Sequence, residues 1–361
     1  MSGIEFAPRI KRIPVYPAAD GYALGEETAL LASNEAPFAP LPEVVEAAAK
    51  AAASAHRYPD PGAGVLRKAL SERFDVPADR IAVGNGSCDI LLALGEALLE
   101  PGSEVVYAWP AFSIYPHLAA ASGATPVQVP LDSEGRHDID AMAAAINEKT
   151  RLVLICNPNN PTSTALPSDR IADLIAAVPA NVCVVLDEAY REFVRSEAID
   201  ANLDLLEAHP NLVILRTFSK VYGLASLRVG YGLCGDAATK TAVDQVRQPF
   251  FCNAAAQAAA VEALKHGEEI ERRVDYVVEQ RAALVEGLEQ LGLDVAESEA
   301  NFVWAKLPEG ADEVGIVKDL AARHILVRAG GALGEPGRLR ITVGLEEQHQ
   351  QLISALSELL A

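Results

Sequence analysis

Between residues 42 and 250, short and continuously apolar runs alternate with stretches whose apolar positions recur at helical spacing. The runs are Ile81–Val83, Glu104–Ala108, Val127–Val129, Leu152–Cys156, Val182–Leu186 and Leu212–Leu215, each bounded by turn residues. Between them lie helical patterns such as Ile90–Leu99, Asp138–Ile146 and Asp169–Ala177. They are preceded by an Ala-rich helix over Pro42–Ala55, with proline near its first turn, and a helical set at Val65, Leu66, Ala69, Leu70 and Phe74. Strands that are apolar on both faces and separated by helices predict βαβ units and a largely parallel sheet covered on both sides. After Pro249 the pattern changes. Residues 254–291 are helix-rich and charged, then β-type runs follow at Phe302–Leu307, Ile325–Arg328 and Leu339–Val343, and a helix closes the chain. The fold class predicted is α/β: a large domain over 42–250, a smaller α+β domain over 251–361, and a Pro-rich segment over 1–41 that packs with the small domain.

Composition narrows the partners. The 361 residues carry 50 acidic and 30 basic side chains, a net charge of −20, which repels nucleic acid and anionic membranes while leaving room for a local arginine pocket. No apolar run reaches the ~18 residues of a membrane span. The stretch Met1–Lys11 lacks the apolar core of a signal peptide, which predicts a cytoplasmic protein. Cys88, Cys156, Cys183, Cys234 and Cys252 are scattered without a C-x-x-C pair, and the seven histidines form no ligand-spaced cluster, so neither disulfides nor a metal site is expected.

In open α/β sheets ligands gather beyond the carboxyl ends of the strands. The residues there are Gly84-Asn85-Gly86-Ser87, Trp109 to Phe112, Asn157 to Thr162, Asp187 to Tyr190 and Thr217 to Lys220. The glycine turn fits either a phosphate cradle at a helix N-terminus or a plain connector. It lacks the third glycine of a dinucleotide fingerprint, where Asp89 stands. Val184-Val185-Leu186-Asp187-Glu188 resembles the acidic strand of a nucleotide hydrolase, but no G-x-x-x-x-G-K-[ST] accompanies it. Lys220 could be a snorkelling surface lysine. With Ser219 before it and Arg228 eight positions on, it also suits an imine-forming amine beside a phosphate clamped by arginine.

These residues, taken with Ala32-Ser33-Asn34-Glu35, Arg57-Tyr58-Pro59-Asp60, Cys156-Asn157-Pro158-Asn159-Asn160-Pro161-Thr162 and Leu339-Arg340-Ile341, resemble the fold-type I aminotransferases that depend on pyridoxal 5'-phosphate, and among them the histidinol-phosphate and aromatic amino-acid branches. The resemblance runs through essentially the whole chain. It implies that Lys220 captures the cofactor aldehyde and then moves protons, and that Asp187 keeps the ring nitrogen protonated. It also implies that Asn160 and Tyr190 bond the phenolic oxygen and that Phe112 stacks on the ring. Gly86, Ser87, Ser219 and Arg228 would take the phosphate, joined by Tyr58 from a neighbouring subunit, which makes the protein a homodimer with shared sites. Arg340 and Arg328 would bind the anionic end of the substrate, and Tyr16 falls where the family has a substrate-contacting tyrosine.

The expected reaction is ping-pong transamination between an amino donor and a 2-oxo acid. Histidinol phosphate with 2-oxoglutarate, giving imidazole acetol phosphate and glutamate, is the first expectation. An aromatic amino acid such as phenylalanine is the alternative. A non-enzymatic cofactor-sensing regulator is the remote one, for which no DNA-binding segment is found. Phe302 and Trp304 fit either a pocket for a flat ring or simple packing in the core. The chain departs from the family at Cys88, where an acid is frequent, at Ser163 and at Ala36.

Overall fold

The structure, a computed structural model, describes residues 3–6, 8–13, 25 and 27–360; Tyr16 lies outside them. In chain order the strands are β1 (Ala29–Leu30), β2 (Ile81–Gly84), β3 (Glu104–Trp109), β4 (Thr125–Pro130), β5 (Thr150–Cys156), β6 (Cys183–Asp187), β7 (Leu212–Thr217) and β8 (Gly230–Cys234). There follow β9 (Asp294–Val295), β10 (Phe302–Lys306), β11 (Ile325–Leu326), β12 (Arg328–Ala329) and β13 (Arg338–Thr342). The large sheet has the order β2-β8-β7-β6-β5-β3-β4, and only β8 runs against the rest. Side chains of β3 show why both faces are apolar: Val106 and Ala108 enter one core, Val105 and Tyr107 the other. Burying each Val, Leu or Ile in this way contributes about 1.5–3 kcal/mol.

Helices Pro42–Ala52, Gly64–Phe74, Ile139–Ala145 and Ser168–Ala177 cover the first face; Ser87–Leu98, Ile114–Ser122 and Ala237–Val246 cover the second. The helix Ala254–Ala263 lies beyond the change of sequence character at Pro249. It nevertheless packs Ala256, Ala259, Ala260 and Ala263 into the large-sheet core, so the boundary between the cores falls a helix later than the change of pattern does. The second core gathers helices Gly267–Gln290, Glu313–Ala322 and Glu346–Leu359 on an antiparallel sheet of order β12-β13-β10-β9. Parallel pairing of β1 with β11 joins the N-terminal segment to that unit, and Ala29 and Leu31 are buried in its core. No helix among the described residues is long and apolar enough to cross a membrane.

Strand direction places the site. The parallel strands β2, β3, β5, β6 and β7 all end at one rim, and β8, running antiparallel, begins there. Gly230 therefore sits between Gly84 and Thr217, and a Cβ on it would lie 2.3 Å from the Ser87 nitrogen. Arg228, just before β8, is delivered to the same rim in a left-handed conformation (φ 58°).

Candidate active site

A cavity of about 450 Å³ opens at this rim, and Lys220, Asp187, Asn160, Tyr190, Phe112, Ser87, Ser219, Arg228, Arg340 and Arg328 all line it. Lys220 is carried by a turn after β7. The Ser219 amide donates to Thr217 Oγ1 (3.1 Å), the Gly223 amide donates to the Lys220 carbonyl (2.8 Å), and Phe218 anchors the turn in the core. The amine reaches the Ser33 carbonyl at 3.5 Å and stands 5.3 Å from the Tyr190 ring centre. Burial, with the Arg340 charge behind it, pulls its pKa down to about 7, while Glu35 acts in the opposite direction. An amine so placed exists near neutrality in both the free and the protonated form, as a nucleophile and proton carrier must.

Asp187 ends β6 and is buried, its Oδ1 accepting from the Ala189 amide (3.2 Å) and its Oδ2 facing the Tyr115 hydroxyl (3.5 Å). Burial pushes its pKa up to about 6, against those two hydrogen bonds and Lys220. The next residue has another fate. Glu188 turns away into a buried pair with Arg216 (Nη2–Oε2 2.8 Å) and accepts from Asn202 (2.7 Å), bracing β6 against β7 beneath the site. Two adjacent acids thus divide into one aimed at the cavity and one that ties the strands.

Asn160 and Tyr190 reach the cavity with their polar atoms already oriented. Arginine has only donors, so the Asn160 atom that meets Arg340 Nη1 at 2.7 Å is Oδ1, and the amide nitrogen is left without a partner among the described residues. The Tyr190 hydroxyl accepts from Asn34 Nδ2 (3.1 Å), whose own Oδ1 accepts from Thr342 (3.2 Å), so the tyrosine proton is free to be donated. Asn34, in a left-handed conformation (φ 54°), is a positioning residue that spacing alone did not single out. Phe112 meets Tyr115 edge-on with ring centres 5.9 Å apart.

At the opposite end, Gly86 precedes the helix Ser87–Leu98 with φ 81°, and a Cβ there would stand 2.5 Å from Arg228 Nη2. The amides of Ser87 and Cys88, in the helix's first turn, find no acceptor among the described residues. Arg228 is steadied by the Ala225 carbonyl (2.8 Å) and the Ser219 hydroxyl (3.3 Å). Free amides, a hydroxyl and a guanidinium at a helix N-terminus form an anion site. Cys88 lies beside it, and burial together with the Asp187 charge raises its thiol to about 11, so it stays neutral.

Register places Arg328 opposite Arg340 on paired strands, so both guanidinium groups project from one sheet face into the cavity. Tyr58 is not in this cavity: it is 80% exposed and stacked on Phe250 at 4.4 Å. Phe302 and Trp304 also stay outside it. Phe302 packs edge-on against Tyr190, and Trp304 is buried beneath Arg338.

Comparison with known proteins accounts for this arrangement. Residues 26–356 match the family described as aminotransferase class I and II, and the chain belongs to it. It is 45% identical over 327 residues, 91% of this chain and 89% of the other, to an aromatic amino acid aminotransferase of Thermobifida fusca (strain YX). It is 38% identical over 97% of both chains to one from Cutibacterium acnes. Among solved structures it resembles histidinol-phosphate aminotransferase from Sinorhizobium meliloti in complex with pyridoxal 5'-phosphate, with a TM-score of 0.87, 28% identity and coverage of 98% and 97%. The protein is a pyridoxal-phosphate-dependent aminotransferase of the fold-type I architecture.

The residues fit that cofactor. The glycine cradle and the free amides at the helix terminus suit its phosphate, a depressed amine suits its aldehyde, and a buried carboxylate suits its ring nitrogen. The Asn160 amide, unpartnered among the described residues, and the oriented Tyr190 hydroxyl suit its phenolic oxygen.

Proposed function

We propose that the protein is an aromatic amino-acid aminotransferase that passes the amino group of a substrate such as phenylalanine to a 2-oxo acid such as 2-oxoglutarate. The observation that carries this reading is sequence: relatives bearing that name match at 38–46% identity over most of both chains, whereas the solved histidinol-phosphate aminotransferase of Sinorhizobium meliloti shares 28%. Phe112 and Leu333 give the cavity an apolar part suited to a flat side chain. Histidinol phosphate is the second reading, because the pair Arg328 and Arg340 can meet a phosphate as well as a carboxylate. The deciding experiment compares kcat/KM for phenylalanine and histidinol phosphate with 2-oxoglutarate as acceptor. A tenfold or greater preference for histidinol phosphate would reverse the assignment.

Bound pyridoxal 5'-phosphate supplies an aldehyde that takes up the amino group and a ring that accepts the electrons left at the substrate Cα. The protein's role is binding, orientation and proton transfer. Arg340, and Arg328 beside it, hold the substrate's anionic end and so aim its Cα hydrogen at the Lys220 side of the cavity. Lys220 Nζ, with its lowered pKa, takes that proton. Asp187 holds a proton on the ring nitrogen by a charge-assisted hydrogen bond, and Asn160 with Tyr190 donate to the phenolic oxygen. Gly86, Ser87, Ser219 and Arg228 would hold the phosphate. Tyr58, exposed with the half-exposed Phe250, meets a second copy of the chain and serves that copy's phosphate, which makes the active unit a homodimer.

A further inference from the structure

Among the described residues, two acids line the catalytic cavity, Asp187 and Glu35, and Glu35 has no part in the chemistry set out above. Its backbone is fixed: Asn301 Nδ2 donates to the carbonyls of Asn34 (3.2 Å) and Glu35 (3.4 Å), and the Asn34 amide donates to Thr342 (2.9 Å). Its carboxylate, by contrast, makes no hydrogen bond or ion pair among the described residues. It lines two hollows at once. One is the catalytic cavity with Lys220; the other, about 420 Å³, shares Glu35, Ser219, Ala225 and Ser226 with it and reaches the surface at Leu30, which is 43% exposed.

Resting on the proposed reading that Lys220 carries the substrate proton, we infer that Glu35 is the relay between Lys220 and solvent. Through a water in the cavity they share, the Glu35 carboxylate takes a proton from the Lys220 ammonium, leaving a neutral amine and a carboxylic acid, and the acid then releases that proton to water in the second hollow. No electrons move, and no co-reactant other than water is needed. The charged groups acting on Lys220 are Arg340, Glu35, Arg228 and Asp187. The two arginines have no lone pair to accept a proton. Asp187 is committed to the ring nitrogen, so among the described residues Glu35 is the acceptor that remains.

The test follows deuterium. Phenylalanine deuterated at Cα is given to the holoenzyme in ordinary water without acceptor, and the label left on the aminated cofactor is measured by mass spectrometry. With the relay intact, much of the label washes into solvent. Glu35→Gln should raise the retained label at least threefold relative to wild type, and Glu35→Asp should restore some of the loss. Equal retention in wild type and Glu35→Gln would overturn the relay.

A second readout needs no cofactor. In cofactor-free protein labelled with ¹⁵N-lysine, with the Lys220 signal identified by its loss in Lys220→Arg, Glu35→Gln should lower the Lys220 titration midpoint by about 0.5 or more. An unmoved midpoint would also overturn the inference. Persistent turnover in Lys220→Ala would instead overturn the reading on which the relay rests, so the two failures are distinguishable.

Discussion

Asp187 is held in the fold at a cost to stability, and the substitution Asp187→Asn exposes that cost. Its pKa rises from an ordinary 3.8 to about 6 because burial disfavours the carboxylate more than the Ala189 and Tyr115 hydrogen bonds favour it. A folded-state pKa above the unfolded one means the folded chain binds more protons between those values. Its contribution is therefore most favourable below pH 3.8 and is lost as pH rises through about 6. The difference corresponds to about 3 kcal/mol above that window and roughly half of that at pH 5.

Asparagine keeps the shape and the acceptor for the Ala189 amide but has no charge to bury. Cofactor-free Asp187→Asn should therefore be more stable than wild type by up to about 3 kcal/mol at pH 7.5, with roughly half that gain at pH 5. The assay is urea denaturation of both cofactor-free proteins across that range, read from the midpoint at constant slope. The same variant should lose at least ~10²-fold in turnover, because the ring nitrogen no longer has its anionic partner. A variant less stable than wild type at pH 7.5, or a stability difference independent of pH, would refute the reasoning.

Two further predictions concern the ends of the cavity. Gly86→Ala places a methyl 2.5 Å from the Arg228 guanidinium on a backbone of positive φ, so the arginine must move; fluorescence titration should show cofactor affinity falling by about 10–100-fold, a loss of about 1.4–2.7 kcal/mol. Arg340→Lys removes a fork that holds the Asn160 side chain (2.7 Å) and the Ala32 carbonyl (2.6 Å) while it faces the substrate. Steady-state kinetics should show kcat/KM falling at least ~10-fold for both amino donor and oxo acid, since a lysine cannot make the same paired contacts.

The alternation of apolar runs with helical spacing is enough to place six of the seven large-sheet strands, because strands buried on both faces must be continuously apolar; the edge strand β4, mostly exposed, shows only the short run Val127–Val129. The seventh, β8, reads Gly-Tyr-Gly-Leu-Cys and breaks that pattern for a local reason: Gly230 lies where a side chain would collide with the Ser87 amide. Its antiparallel direction, which is what delivers Arg228 to the rim, has no signature in composition. Residues at or after the strand ends were legible because chain order and strand direction fix them, and Lys220, Asp187, Asn160 and Phe112 meet around one cavity. Supporting residues were not. Tyr115 comes to Asp187 from a helix, Asn34 reaches Tyr190 across 156 positions of sequence, and Thr342 reaches Asn34 across 308, contacts that only the packing of the two cores creates.

The proposed chemistry turns on capture of the cofactor aldehyde by the Lys220 amine. Borohydride reduction of the holoenzyme, followed by proteolysis and peptide mass analysis, tests it directly. A single stoichiometric mass addition of the reduced cofactor is expected on the peptide containing Thr217-Phe218-Ser219-Lys220, absent in Lys220→Ala. Attachment at any other lysine, or full activity without attachment at Lys220, would contradict it.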